Sequence, residues 1–419
     1  MKRALVLCGG GSLGSYEAGA WKYFREIGLT FDIVTGTSIG AINGAFVAAN
    51  KYDEVEKLWG QVAINKVMKN GLNFPRDFLQ EFNWKADSKK VKQFAHTYFK
   101  NKGADIGPFM NWVKEAVPVH EVKNSPIKFG VVTTAFPSLK ELDVVMNDVP
   151  EEHILDYLHA SSACFPVFPV YSFDGKSYID GGYFNNLPID FALKLGADEI
   201  VAVLLHAVPR VPQHKELMEL PMVTTVFPSR DTGSIMDFDQ NVIQTNFDLG
   251  YLDAAKRFGK YWGYAFTFEK DEKLNELINE FSRRVASDNP TGYFDVLNSL
   301  EYMDFKAKTP YDLFIRTLEI PGLWLGLDYM KVYTITDYVK QIAAIFKKPN
   351  NKKAGLEYAK KSLVSARLPK SEQIPFLYYL YDVNEGRHND KKIKKIAANN
   401  PSIKALIILS SLLKSRNIL

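Results

Sequence analysis

The sequence predicts an α/β protein with a doubly wound, mostly parallel sheet and a helical C-terminal extension. Three observations predict it. Two strand, glycine-turn, helix units follow each other at the N-terminus, over residues 3–24 and 31–49. The continuously apolar run Glu199–His206 reads as a strand buried on both faces, which is the signature of a parallel sheet. Beyond about Glu269 strand patterns fade, and helical, lysine-rich patterns replace them. At 419 residues the chain exceeds the size at which one core usually suffices. We therefore expect a first domain over residues 1–265 and a mostly helical, Lys-rich domain of unassigned role over 266–419.

The first strand is Ala4-Leu5-Val6-Leu7-Cys8. Its apolar run stops at three glycines, short of the roughly 7–15 residues of an export core, so it reads as a strand and not as a signal peptide. Gly9-Gly10-Gly11-Ser12-Leu13-Gly14 follows, then a helical segment from Tyr16 to Phe24. A side-chain-free loop at a helix N-terminus exposes backbone N–H groups and suits an anion. The spacing Gly9-x-Gly11-x-x-Gly14 also matches the dinucleotide fingerprint. That fingerprint needs an acid at the end of the next strand. Here the next strand ends in Gly36-Thr37-Ser38, while Asp32 stands at its beginning. An oxyanion hole facing Ser38 is the better reading of the loop.

The second unit is Phe31-Asp32-Ile33-Val34-Thr35, then Gly36-Thr37-Ser38-Ile39-Gly40, then the small-residue helix Ala41–Ala49. A serine on so sharp a strand-to-helix turn is lifted out of the sheet. Gly36 and Gly40 remove the side chains that would clash as the chain reverses. Ser38 is the candidate nucleophile. Segment 53–122 mixes helical patterns with polar connections and shows no chemistry; His96 and His120 read as surface residues. Strands are expected at Ile127–Thr134 and Leu142–Met146, and a helix at His153–Ala160.

The stretch Ser161-Ser162-Ala163-Cys164-Phe165-Pro166-Val167-Phe168-Pro169 ends that helix, and its Phe165, Val167 and Phe168 suit either an acyl pocket or the core. Ser177-Tyr178-Ile179-Asp180 is a short strand that delivers Asp180 to the turn Gly181-Gly182. Residues Val208 to Asp239 read as a long connection over the sheet and a mobile cover on the site. A helix is expected from Asn246 to Lys260, and a last one after Asn400-Pro401-Ser402.

Two cysteines, Cys8 and Cys164, allow at most one disulfide and no metal cluster. No stretch approaches the roughly 18 apolar residues of a membrane span. The net charge of +4 is unevenly spread: residues 340–419 carry 17 Lys and Arg against 5 Asp and Glu, leaving the preceding chain at −8. An anionic membrane surface as partner of this basic region, and a cytoplasmic, membrane-associated protein, are the expectations. No nucleic-acid motif is present.

Taken together and in this order, Gly9–Gly14, Gly36–Gly40 and Asp180-Gly181-Gly182 resemble the patatin-like phospholipases, with Asn185, Pro188 and the stretch Ala160–Pro166 supporting the likeness from the N-terminus to about residue 265. The resemblance implies a patatin-like variant of the α/β hydrolase fold and a lipid ester substrate cleaved without cofactor or metal. It further implies a Ser38–Asp180 dyad that works through an acyl-enzyme. The loop Gly9, Gly10, Gly11 would form the oxyanion hole, with the amides of Gly10 and Gly11 as donors. Gly14, Gly36, Gly40, Gly181 and Gly182 would support the motifs. His206 is the reserve base. Phospholipase A or lysophospholipase activity is the expectation; where the family often carries Lys or Arg before the last loop glycine, this chain has Leu13, so a phosphate-headed substrate is less firmly implied and a neutral lipid or simple acyl ester stays open. An acyltransferase using the same dyad, and a non-catalytic nucleotide- or lipid-binding protein, are the alternatives.

Overall fold

A computed structural model describes residues 1–62, 107–165, 167–206, 215–288, 309–348, 370–384, 386, 391–397, 400–416 and 418. His96 and the prolines of 209–212 lie outside them. The chain divides into two compact units, Met1–Ala255 and Lys256–Leu419, so that residues 256–265, expected in the first domain, belong with the second.

In the first unit the described strands are β1 (Arg3–Leu7), β2 (Ile33–Thr37), β3 (Lys128–Phe136), β4 (Lys140–Val145), β5 (Tyr171–Phe173), β6 (Lys176–Asp180), β7 (Glu199–Val203) and β8 (Val223–Val226). They form one sheet in the order β5-β6-β3-β2-β1-β7-β8, with β4 also paired to β3. The pairs β2/β3, β1/β2, β1/β7 and β7/β8 are parallel. Those involving β4, β5 and β6 are antiparallel, so the sheet is mixed but mostly parallel. Strand β8 corrects the reading of 208–239 as a loose connection. Prolines at 221 and 228 bracket Val223-Thr224-Thr225-Val226 without interrupting it, and its β-branched residues suit a sheet edge.

The helices are α1 (Gly14–Glu26), α2 (Ile39–Ala48), α3 (Tyr52–Gln61), α4 (Gly107–Ala116), α5 (Val119–Lys123), α6 (Ile154–Ser161), α7 (Ile189–Lys194) and α8 (Gln240–Arg257). Successive strand residues face opposite sides, and β3 shows what that does here. Phe129 meets Gly44 of α2, whereas at Gly130 a side chain would strike Phe191 of α7. Helices therefore cover both faces, as the double winding requires.

The register along β3 positions the site. β2 pairs with Lys128 to Val132, and β6 pairs with Thr133 to Phe136. β4 runs across both stretches, from Gly130 to Ala135. A strand has only two edges, so β2 and β6 share one edge of β3 end to end, running in opposite directions. Their C-terminal residues Thr37 and Asp180 oppose the neighbouring positions Val132 and Thr133.

The second unit is mostly helical: α9 (Asn275–Asp288), α10 (Pro310–Leu325), α11 (Ile335–Phe346), α12 (Lys370–Asn384), α13 (Lys391–Ala397) and α14 (Pro401–Ser415). Thr309 and Asp312 form a capping box with Pro310 in the first turn of α10, and Gly326 ends that helix in the left-handed conformation. Phe266, Phe268, Phe281, Phe314, Tyr333, Tyr338 and the inner faces of α13 and α14 build its core. Strands do not vanish altogether, because β9 (Thr267–Phe268) and β10 (Val332–Tyr333) pair in parallel. Buried Glu319 accepts the amides of Tyr264, Ala265 and Phe266, which ties the entry segment to α10.

Candidate active site

Ser38 is the residue that turns β2 into α2. Its φ of 55° and ψ of −123° lie in a region that L-residues seldom occupy, which is the strained elbow expected of an exposed nucleophile. The turn closes only because Gly36 and Gly40 lack side chains. A Cβ on Gly36 would sit 2.3 Å from the Gly40 carbonyl, and one on Gly40 would sit 2.6 Å from that of Leu7.

The Ser38 side chain lies against the Asp180 carboxylate and favours its charged form. Asp180 is only 6% exposed. Burial pushes its carboxyl up to about 6, opposed by the Gly182 amide and the Ser38 hydroxyl. The Gly182 N–H donates to Oδ1 at 2.7 Å and aims the carboxylate. Gly181 must be small because a Cβ there would lie 2.3 Å from the Val132 carbonyl and 3.1 Å from Thr37 Cγ2, inside the junction of β2 and β6.

The glycine loop lies beside this pair. A Cβ on Gly9 would fall 3.1 Å from Ser38 Cβ and 2.4 Å from Asn186 Oδ1. The Gly9 N–H donates to the Asn186 carbonyl at 3.1 Å, so Gly9 lends the loop clearance while its amide is engaged. Among the described residues the amides of Gly10 and Gly11 have no acceptor. Gly11 adopts φ of 57°, and a Cβ there would meet the Ile235 carbonyl at 2.2 Å. The Ser12 amide and hydroxyl donate to the carbonyls of Ile235 and Ser234. This uses up part of the amide nest that a pyrophosphate would need. Asp32 precedes β2 and accepts the Arg3 amide, far from any ribose-binding position.

Residues 5–193 match the family model described as patatin-like phospholipase. Over those residues the chain is similar to the patatin-like phospholipases. Patatin-like phospholipase domain-containing protein 7 of Mus musculus is 26% identical over 206 residues, covering 48% of this chain and 13% of that protein. Lysophospholipase nte1 of Aspergillus terreus is 28% identical over 208 residues, 48% of this chain and 12% of that one. Triacylglycerol lipase 4 of Saccharomyces cerevisiae is 24% identical over 231 residues, 50% of this chain and 25% of that one. The matched region thus spans a quarter or less of these relatives. VipD from Legionella pneumophila aligns at a TM-score of 0.40 with 15% identity, over 99% of this chain and 91% of that one.

Several residues that support the patatin-like site escaped the sequence reading. Ser161, at the end of α6, accepts the Ser38 amide on its Oγ at 2.8 Å and donates to the Val132 carbonyl at 2.6 Å, pinning the elbow to β3. Beneath the glycine loop, buried Glu17 accepts the Cys8 amide at 2.7 Å and the Asn43 side chain at 2.8 Å. Burial holds the Glu17 carboxyl well above the usual range. Asn43 also donates to the Gly14 carbonyl, and accepts from the Trp59 indole. Past Asp180, the Thr35 and Thr37 hydroxyls donate to the carbonyls of Pro188 and Asn185, fastening the Asp-Gly-Gly loop along β2. Asn185, which the sequence did single out, is buried and donates to Glu141 and Asp190.

The stretch after α6 is only in part core. Phe165 is 37% exposed, and Val167 and Phe168 are half-buried. Cys164 adjoins Asp180, and burial with that neighbouring charge pushes its thiol up to about 12, with Tyr183 acting the other way. Both cysteines are free thiols. Of the histidines, His120 is exposed beside Glu151. His159 stacks on Tyr171 at 3.8 Å, and burial lowers it to about 4.

Proposed function

We propose that this protein is a serine lipid acyl hydrolase, of phospholipase A or lysophospholipase type, which cleaves carboxylic esters through a Ser38–Asp180 dyad. The observation that carries the proposal is the placement of the Ser38 side chain against the Asp180 carboxylate, which is buried and thereby made more basic. An ordinary carboxylate is too weak a base to take a proton from serine efficiently, and burial narrows that gap.

Ser38 Oγ attacks the ester carbonyl as its proton passes to Asp180. The carbonyl oxygen becomes an oxyanion that the amides of Gly10 and Gly11 stabilise, supported by the N-terminus of α2. Asp180 returns the proton to the leaving alcohol, and an acyl-enzyme remains on Ser38. Water, deprotonated by Asp180, then releases the fatty acid. The names of the relatives, which include a lysophospholipase and a triacylglycerol lipase, support a lipid ester as substrate. Leu13 in the oxyanion loop supports a substrate whose recognition does not depend on a loop cation.

The experiment that tests this is labelling with a fluorophosphonate probe, with the modified peptide identified by mass spectrometry. Modification of Ser38, lost in Ser38→Ala, is expected. Labelling of a different serine, with ester hydrolysis intact in Ser38→Ala, would overturn the assignment. We further propose that the lysine-rich second unit makes peripheral contact with anionic membrane. Among the described residues no helix is long and apolar enough to cross a membrane. The apolar residues Ile393, Ile396, Leu406, Leu409 and Leu412 are buried in that unit's core, so this contact is electrostatic and not an insertion of helix faces.

A further inference from the structure

Large apolar side chains in water are scattered singly on most proteins, so a group of them at one rim invites an explanation. Phe136, Leu139, Phe165 and Tyr183 are 36%, 49%, 37% and 47% exposed. The rings of Phe136 and Phe165 lie 6.2 Å apart, and Tyr183 reaches Cys164, the residue before Phe165. Phe165 and Phe136 are tied to the strand that carries Asp180. Asp180 donates its amide to the Ala163 carbonyl, two residues before Phe165, and Thr133, opposite Asp180 in the sheet, lies three residues before Phe136.

Leu139 sits at the tip of the β3–β4 hairpin with φ of 53°. A glycine or asparagine would hold that conformation at less cost, and a leucine there gains nothing from the core because its side chain stands in solvent. Exposed Lys140 follows it directly. A second exposed lysine, Lys176, starts β6, two residues after exposed Asp174.

We propose that this rim is a lipid-surface contact: Phe136, Leu139, Phe165 and Tyr183 enter the headgroup and upper acyl region of a phospholipid surface. Lys140 and Lys176 meet its phosphates, and the Ser38–Asp180 pair is thereby brought close to the membrane. Aromatic rings and a leucine beside lysines are the composition that partitions into such an interface. The inference rests on the lipid-ester reading of the Ser38 site, and it locates the apolar part of the membrane contact in the first unit.

The test separates the two claims. Vesicle co-sedimentation is measured with the full chain carrying Ser38→Ala, with and without Leu139→Asp and Phe136→Ser, on vesicles of phosphatidylcholine with phosphatidylglycerol. Removing one inserted large side chain should weaken binding by about tenfold or more. In the Ser38-containing protein the same two substitutions should lower hydrolysis of vesicle lipid by a similar factor, yet leave hydrolysis of p-nitrophenyl butyrate within about twofold. Both positions are partly exposed, and unchanged circular dichroism of the variants is the check on folding.

Vesicle binding unaffected by Leu139→Asp and Phe136→Ser would overturn the inference. So would a dimer that these substitutions dissociate without loss of vesicle binding, since the rim would then face a second copy. Failure of the unsubstituted protein to hydrolyse either ester would sink the enzymatic reading, while co-sedimentation would still decide the surface.

Discussion

Ser38 carries two burdens at once, a reactive position and an unfavourable backbone conformation. Ser38→Ala keeps the conformation and removes the hydroxyl, so ester hydrolysis should fall by about 10⁴-fold or more, to the level of background. Ser38→Gly removes both. It should be as inactive as Ser38→Ala yet more stable by about 1 kcal/mol, read from thermal or urea denaturation, because glycine occupies φ of 55° without strain. Equal stability of the two variants would show that the elbow is not strained.

Asp180 yields two further expectations with opposite signs. As the base it must be ionised, so kcat/KM on a soluble ester should drop tenfold per pH unit below about 6, where burial has set its titration. For stability, a carboxyl raised from 3.8 to about 6 favours the folded state at low pH, and that contribution is lost as pH rises through the folded value. Asp180→Asn keeps an acceptor for the Gly182 amide and removes the buried charge. It should therefore be inactive but more stable than the parent at pH 8, by up to about 3 kcal/mol, with the difference closing by pH 4. Parallel melting curves across that range decide it.

At the scale of elements, the site depends on how closely helices and strands approach one another. α1 and α8 pack backbone against backbone: a Cβ on Gly19 would stand 1.8 Å from the Phe247 carbonyl, and one on Gly250 would stand 2.0 Å from that of Tyr16. Gly250→Ala should force α8 outward and destabilise the fold by about 2 kcal/mol or more, visible as a lowered denaturation midpoint. Ser161→Ala is milder. Losing the partner of the Ser38 amide should lower kcat more than it raises KM, because the elbow shifts while the substrate surface remains.

These elements also show how far the sequence could be read. The two strand, turn, helix units and the Asp-Gly-Gly turn were legible because glycine spacing and apolar runs are local signals. Ser161, Glu17 and Asn186 were not, since their partners lie 123, 9 and 177 or more positions away and only the folded register reveals them. β8 was hidden by the prolines around it. The pairing of the Gly9 amide with the Asn186 carbonyl could not be seen in the chain either.

For the whole molecule, the division into an acidic first part and a basic second part assigns different work to the two units. Of the lysines in α13, Lys391, Lys394 and Lys395 are exposed while Ile393 and Ile396 point into the core. Deleting everything past residue 340 would remove much of that core and test folding, not binding. Charge reversal is the cleaner probe: Lys391→Glu, Lys394→Glu and Lys395→Glu together should weaken binding to anionic vesicles, with a shallower dependence on salt, and leave turnover of a soluble ester unchanged. Binding that is indifferent to these changes would remove the second unit from the membrane contact.

The abutment of β2 and β6 along a single edge of β3 has a consequence for how the chemistry is maintained. The hydroxyl and the carboxylate are delivered by segments more than 140 positions apart, but both are measured off against one continuous backbone, Val132 then Thr133. That strand acts as a ruler. Adding a single amino acid to it at this point would push the two groups apart by about 3.3 Å, more than a proton can cross between them, even if every other part of the catalyst stayed in place.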